Sequence, residues 1–134
     1  MTNRGAATVI PPRAGGWAFH RAGCEWTVTS QTPDSSSIRL SHKQLMELTH
    51  GALSRRWPTY IHWSPDRSWA AVHSADGAVL WCDQTQMDIV RTQIIDHVRA
   101  ALTRAYDQER RRMLRHRVWT TIRRPLGNTQ NGSP

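Results

Sequence analysis

Lysine is almost missing from this chain: seventeen of its eighteen cationic side chains are arginine, and Lys43 is the exception. Phenylalanine occurs once, and tyrosine and cysteine twice each. Two cysteines, Cys24 and Cys82, are too few for a disulfide scaffold. The paired Cys-x-x-Cys or His-x3-His elements of a structural zinc site are absent, so the sequence predicts no metal and small apolar roles for both thiols. No stretch approaches the ~20 apolar residues of a membrane span, and no signal-like leader opens the chain. The expectation is a cytoplasmic protein with reduced thiols and no membrane partner.

Catalytic patterns are equally scarce. Gly15-Gly16 follows no strand, so no phosphate loop is present. The acids are isolated from one another and no carboxylate pair sits beside a lysine, which argues against nuclease chemistry. Cys82 with His62, His73 or His97 is a nucleophile–base combination on paper. Seven singly scattered histidines offer such combinations by chance. The sequence therefore points to a non-enzymatic protein without a cofactor.

What the chain does have is charge in one place. The formal net charge is +8. Residues 1–98 carry nine cations and eight acids, whereas residues 99–134 carry nine arginines against Asp107 and Glu109. Such asymmetry points to an anionic partner. The arginine excess itself follows GC-rich codon usage, which suits a small phage or plasmid accessory protein.

The elements can be placed by pattern. Residues 1–16 read as a flexible arm, because Pro11-Pro12 and Gly15-Gly16 interrupt regular structure. Trp17 and Phe19 mark where the chain first docks. Glu25 to Gln31 alternates as a strand, Thr32 to Ser36 is a turn, and Ile38 with Leu40 forms a short return strand. Ser41 and Gln44 fit a capping box that opens a helix over 42–56, ended by Trp57-Pro58. Three strands follow, 60–64, 69–74 and 78–82, separated by the turns Ser64–Arg67 and Ala75–Gly77. A long helix then runs from Gln86 to about Arg117, with Thr85 and Asp88 as its expected cap. Its first half carries an apolar stripe through Met87, Val90, Ile94, Val98, Ala101 and Ala105. Its second half is polar on every side. At ~1.5 Å per residue the helix spans roughly 48 Å, against about 36 Å for a compact globule of this size, so the basic end is expected to project.

The predicted fold is α+β: a small two-layer sandwich of an antiparallel three- to four-stranded sheet with both helices on one face. The organisation is an arm (1–16), an α+β domain (17–106), and a basic helical extension with a disordered tail (107–134). The line YIHWSPDRSWAAVHSADGAVLWCD resembles one blade of a WD-repeat propeller. A propeller needs several such units, and the sequence shows no second copy of the pattern.

The functional expectation is a nucleic-acid-binding accessory protein, DNA ahead of RNA. Phosphates would be held by Arg104, Arg110, Arg111, Arg112, Arg115, Arg117, Arg123 and Arg124, with modest base preference. Trp119 lies within the cluster, where it either stacks on a base or packs on the body of the protein. The alternative is a protein-interaction module, such as a host-protein inhibitor or assembly adaptor, anchored by Trp63, Trp69 or Trp81 on a sheet face. An acidic protein is the partner that would suit the arginines instead. The long helices also leave a homodimer open.

Overall fold

The computed structural model describes residues 9–131, with side chains through Trp119. The chain divides between Val98 and Arg99 into two compact units. The element order is β1 (Trp17–Ala22), β2 (Glu25–Ser30), β3 (Ser37–Ser41), α1 (His42–Ser54), β4 (Ile61–Trp63), β5 (Trp69–His73), β6 (Val79–Asp83) and α2 (Gln84–Asn131). β1-β2-β3 and β4-β5-β6 are two antiparallel meanders. The fold is α+β, with six strands in two sheets where the sequence suggested one sheet of three or four. β1 escaped the pattern reading because Ala18 follows Trp17 on the opposite face, which blurs the polar–apolar alternation.

Period-two alternation sends one set of side chains inward from each sheet. Trp17, Phe19, Trp26, Val28, Ile38 and Leu40 come from the first sheet, and Ile61, Ala70, Val72, Leu80 and Cys82 from the second. They share one core with Leu45, Leu48 and Ala52 of α1 and with Met87, Val90 and Ile94 of α2. Full burial of each larger apolar side chain contributes ~1.5–3 kcal/mol, so this shared core is what holds both sheets and both helices together.

The same βββα motif occurs twice. Strand pairing aligns Val28 with Ile38 in the first sheet and Val72 with Leu80 in the second. It aligns Phe19 with Val28 and Ile61 with Val72. Each meander runs directly into its helix through a polar cap: Ser41 Oγ accepts from the Gln44 N–H at 3.1 Å, and Asp83 Oδ1 accepts from the Gln86 N–H at 2.7 Å. Both caps are thus followed three residues later by glutamine and then by a buried residue, Leu45 or Met87. In α1 the glutamine completes the expected capping box by accepting from the Ser41 N–H at 3.0 Å. The cap of α2 is Asp83, rather than Thr85 or Asp88, because the helix starts two residues earlier than expected.

Gln86, released from that reciprocal bond, reaches the N-terminal segment instead. Its Nε2 donates to the Gly16 carbonyl at 3.1 Å and to Ser30 Oγ at 2.7 Å. Gln93 Nε2 donates to the Pro11 carbonyl at 2.7 Å, and Ile10 is buried in the core. The described part of the expected arm, residues 9–16, is therefore tied to α2; residues 1–8 lie outside the described residues. A Cβ at Gly16 would sit only 2.3 Å from Gln93 Oε1 and would displace that amide from its place. α2 continues to Asn131, into the stretch expected to be a disordered tail.

Candidate nucleic-acid interface

The second unit, Arg99–Pro134, carries the cations on a helix. Arg104, Arg110, Arg111, Arg112, Arg115 and Arg117 are all exposed. Steps of seven and four residues place Arg104, Arg111 and Arg115 along one side, and a step of seven places Arg110 and Arg117 along another. Arg112 stands apart and donates to Glu109 Oε1 at 2.8 Å. That carboxylate pushes the Arg112 pKa further up. Both partners are more than half exposed, so the pair does little for stability. Arg123 and Arg124 lie outside the residues whose side chains are described.

Between the arginines runs a thin apolar stripe of Leu102, Tyr106 and Met113, each more than half exposed. Guanidinium groups in this arrangement are planar forks suited to paired phosphate oxygens. Repulsion among them is relieved when an anion binds. Trp119 is also exposed, as the stacking reading requires, though exposure alone does not select a base over a protein surface.

The aromatic candidates of the second sheet separate. Trp69 and Trp81 lie on its outward face, 52% and 64% exposed. Trp63 has the opposite parity and packs against the core, with the Arg67 guanidinium 5.6 Å from its ring centroid. The three do not form one anchor. The outward face instead adds residues that the sequence reading had weighed only as catalytic bases. His62 pairs across from Ala71, Ala71 from Trp81, and the His62 and His73 rings touch edge to face at 4.5 Å between centroids.

Cys82 points the other way. It is fully buried, and burial pushes its thiol up to about 12, with the nearby Asp83 carboxylate adding to the rise and the Trp17 indole opposing it. His62 and His73 belong to the opposite face of the same sheet, so the sequence-level nucleophile–base combination of Cys82 with either of them is not assembled. Cys24 is exposed on the β1–β2 turn. Among the described residues no three His, Cys, Asp or Glu side chains gather as a metal site. No helix among them is long and apolar enough to cross a membrane.

Compared with models of known protein families, with curated proteins and with solved structures, the chain matches none.

Proposed function

We propose that this protein binds nucleic acid without catalysing a reaction on it, DNA ahead of RNA, through the arginine-rich helix of its second unit. The observation that carries this reading is the exposure of six arginines along 104–117, opposed there only by Asp107 and Glu109. Phosphates supply the missing anion at the spacing of a polyanion, and counterion release supplies the driving force. The residues that would hold phosphate are Arg104, Arg110, Arg111, Arg115 and Arg117, with Arg112 joining them when it leaves Glu109 and with Arg123 and Arg124 continuing the basic sequence.

The test is fluorescence anisotropy of labelled oligonucleotides titrated with the full chain at several salt concentrations. Each neutralised phosphate contributes roughly 0.7–0.9 to the slope of log K against log salt. The expected slope is therefore steep, and it collapses when the six arginines are changed to Gln. A wild-type protein that binds no oligonucleotide at low salt removes the proposal. A second reading rests on exposed Trp69 and Trp81, which suit a protein partner. Binding of that kind would respond little to salt.

A further inference from the structure

The duplicated βββα motif provides an internal control for the outward sheet face. The strand registers make Glu25, Thr27 and Thr29 of β2 the counterparts of Trp69, Ala71 and His73 of β5. Ser37 and Arg39 of β3 are likewise the counterparts of Val79 and Trp81 of β6. In the first βββα motif the outward positions of β2 and β3 are thus carboxylate, hydroxyl and guanidinium. The same backbone is complete there without an indole on its outer face. The two exposed indoles of the second βββα motif therefore satisfy no demand of the fold.

Their arrangement is specific. Ala71 has His62 and Trp81 directly opposite it on the neighbouring strands and Trp69 and His73 two residues away along its own. Neighbouring strands lie ~4.8 Å apart and same-face residues along a strand ~6.8 Å apart, so four rings surround one methyl group. Ala71 is only 7% exposed although it faces outward, because those rings cover it. The result is an aromatic platform in which the His62 and His73 rings meet edge to face, with exposed indoles on two of its four sides.

We infer that this platform stacks unpaired bases and that the nucleic acid taken by the protein is single-stranded. The inference rests on the phosphate-binding reading of the arginine-rich helix. The platform has rings but few cations, since Arg67 is the sole Lys or Arg between residues 59 and 83. The helix has cations and, among its described residues past Val98, only Tyr106, His116 and Trp119 as ring-bearing side chains. A single strand presents both matching chemistries, a negative backbone and free π faces. A duplex presents phosphates and keeps its bases stacked inside, which leaves Trp69 and Trp81 with nothing to do. A protein partner would use the indoles but leave the charge of the helix unanswered.

The experiment compares a labelled oligothymidine with a duplex of equal length, using the full-length wild type and its Trp69→Ala, Trp81→Ala, Trp69→Phe and Trp81→Phe variants. Each Ala change is expected to weaken single-strand binding by roughly 5- to 150-fold, the range for loss of one stacked base, without altering the salt slope. Duplex affinity stays unchanged, and each Phe variant recovers most of the single-strand loss because it keeps a π face. Wild-type binding to both nucleic acids with Ala variants that behave like wild type overturns the platform and leaves the phosphate-binding reading intact. Equal losses in the Phe and Ala variants overturn stacking in favour of a structural role. If the wild type binds neither oligonucleotide, both readings fall.

Discussion

Gln93 grips the backbone of Trp17 from both sides: its Oε1 accepts from the Trp17 N–H at 3.1 Å, and its Nε2 donates to the Trp17 carbonyl at 2.5 Å. A side chain of α2 thereby satisfies both backbone groups at the start of β1, the edge strand of the first sheet. Gln93 is 5% exposed and Trp17 fully buried, so neither backbone group has water to fall back on.

Gln93→Leu is expected to destabilise the first unit by about 2–4 kcal/mol. The substitution leaves the Trp17 N–H and carbonyl unsatisfied, at ~1–3 kcal/mol for each buried group. The Pro11 carbonyl also loses its donor, which loosens the N-terminal segment. Urea unfolding followed by tryptophan fluorescence reads the loss. A midpoint within error of wild type would mean that water replaces the glutamine.

Ser74 plays the corresponding part between the two sheets. Its Oγ donates to the Arg39 carbonyl at 2.5 Å and accepts from the Arg39 N–H at 3.2 Å. Ser74→Ala should lower stability by about 1–3 kcal/mol through the same orphaning of a peptide unit. Hydrogen exchange offers a local check: the Arg39 amide should exchange faster in the variant, while the Val72 and Leu80 amides within the second sheet slow or speed only with global stability.

Alkaline pH should weaken the fold through Cys82. The buried thiol is pushed up to about 12 from an ordinary value near 9, so the unfolded chain loses its proton while the folded one keeps it. Stability is then fully present below pH 9 and falls toward pH 12, by at most ~1.4 kcal/mol per pH unit. Burial also pushes the Tyr60 phenol up, and the unfolded phenol titrates near 10, so its contribution has the same sign and begins later. Cys82→Ala lowers stability overall by removing core volume, but it should flatten the decline between pH 9 and 10. An unchanged slope in that window would assign the alkaline loss to other groups.

Much of this architecture is legible in the residues. The Ser41–Gln44 capping box, the turns at Ser64–Arg67 and Ala75–Gly77, and the buried stripe Met87–Val90–Ile94 are local signals, and each forms as its chemistry dictates. The duplication was not legible, because the two βββα motifs share positions rather than identities. Ser41 and Asp83 both cap, Leu45 and Met87 both fill the core, yet Glu25 and Trp69 occupy the same outward place with opposite character. The roles of Gln86 and Gln93 were hidden for a different reason. Their partners, Gly16, Ser30, Pro11 and Trp17, lie more than fifty residues away, and a glutamine on an apolar stripe gives no hint of which backbone it will meet. Of the binding candidates, exposure of the arginines followed from their spread around the helix, whereas the outward platform depended on a strand register that only the fold reveals.

The arrangement of the arginines makes a last prediction about Glu109. Arg104, Arg111 and Arg115 share one side of the helix and Arg110 and Arg117 another, while Arg112 is occupied by the Glu109 carboxylate. Phosphate contact along the first side would neutralise three charges and along the second two. Changing Arg104, Arg111 and Arg115 to Gln should therefore lower the salt slope by about 2–3, and changing Arg110 and Arg117 by about 1.4–1.8, with near-additive effects. Glu109→Gln should act in the opposite direction. It releases Arg112 for phosphate and removes a repelling carboxylate, so affinity at low salt rises and the slope steepens by just under one unit. Unfolding by urea should barely change, since an exposed ion pair of this spacing stabilises a helix weakly. A Glu109→Gln protein that binds oligonucleotide no more tightly than wild type would show that Arg112 stays off the bound strand, and that the two lines of arginine on its flanks carry the contact.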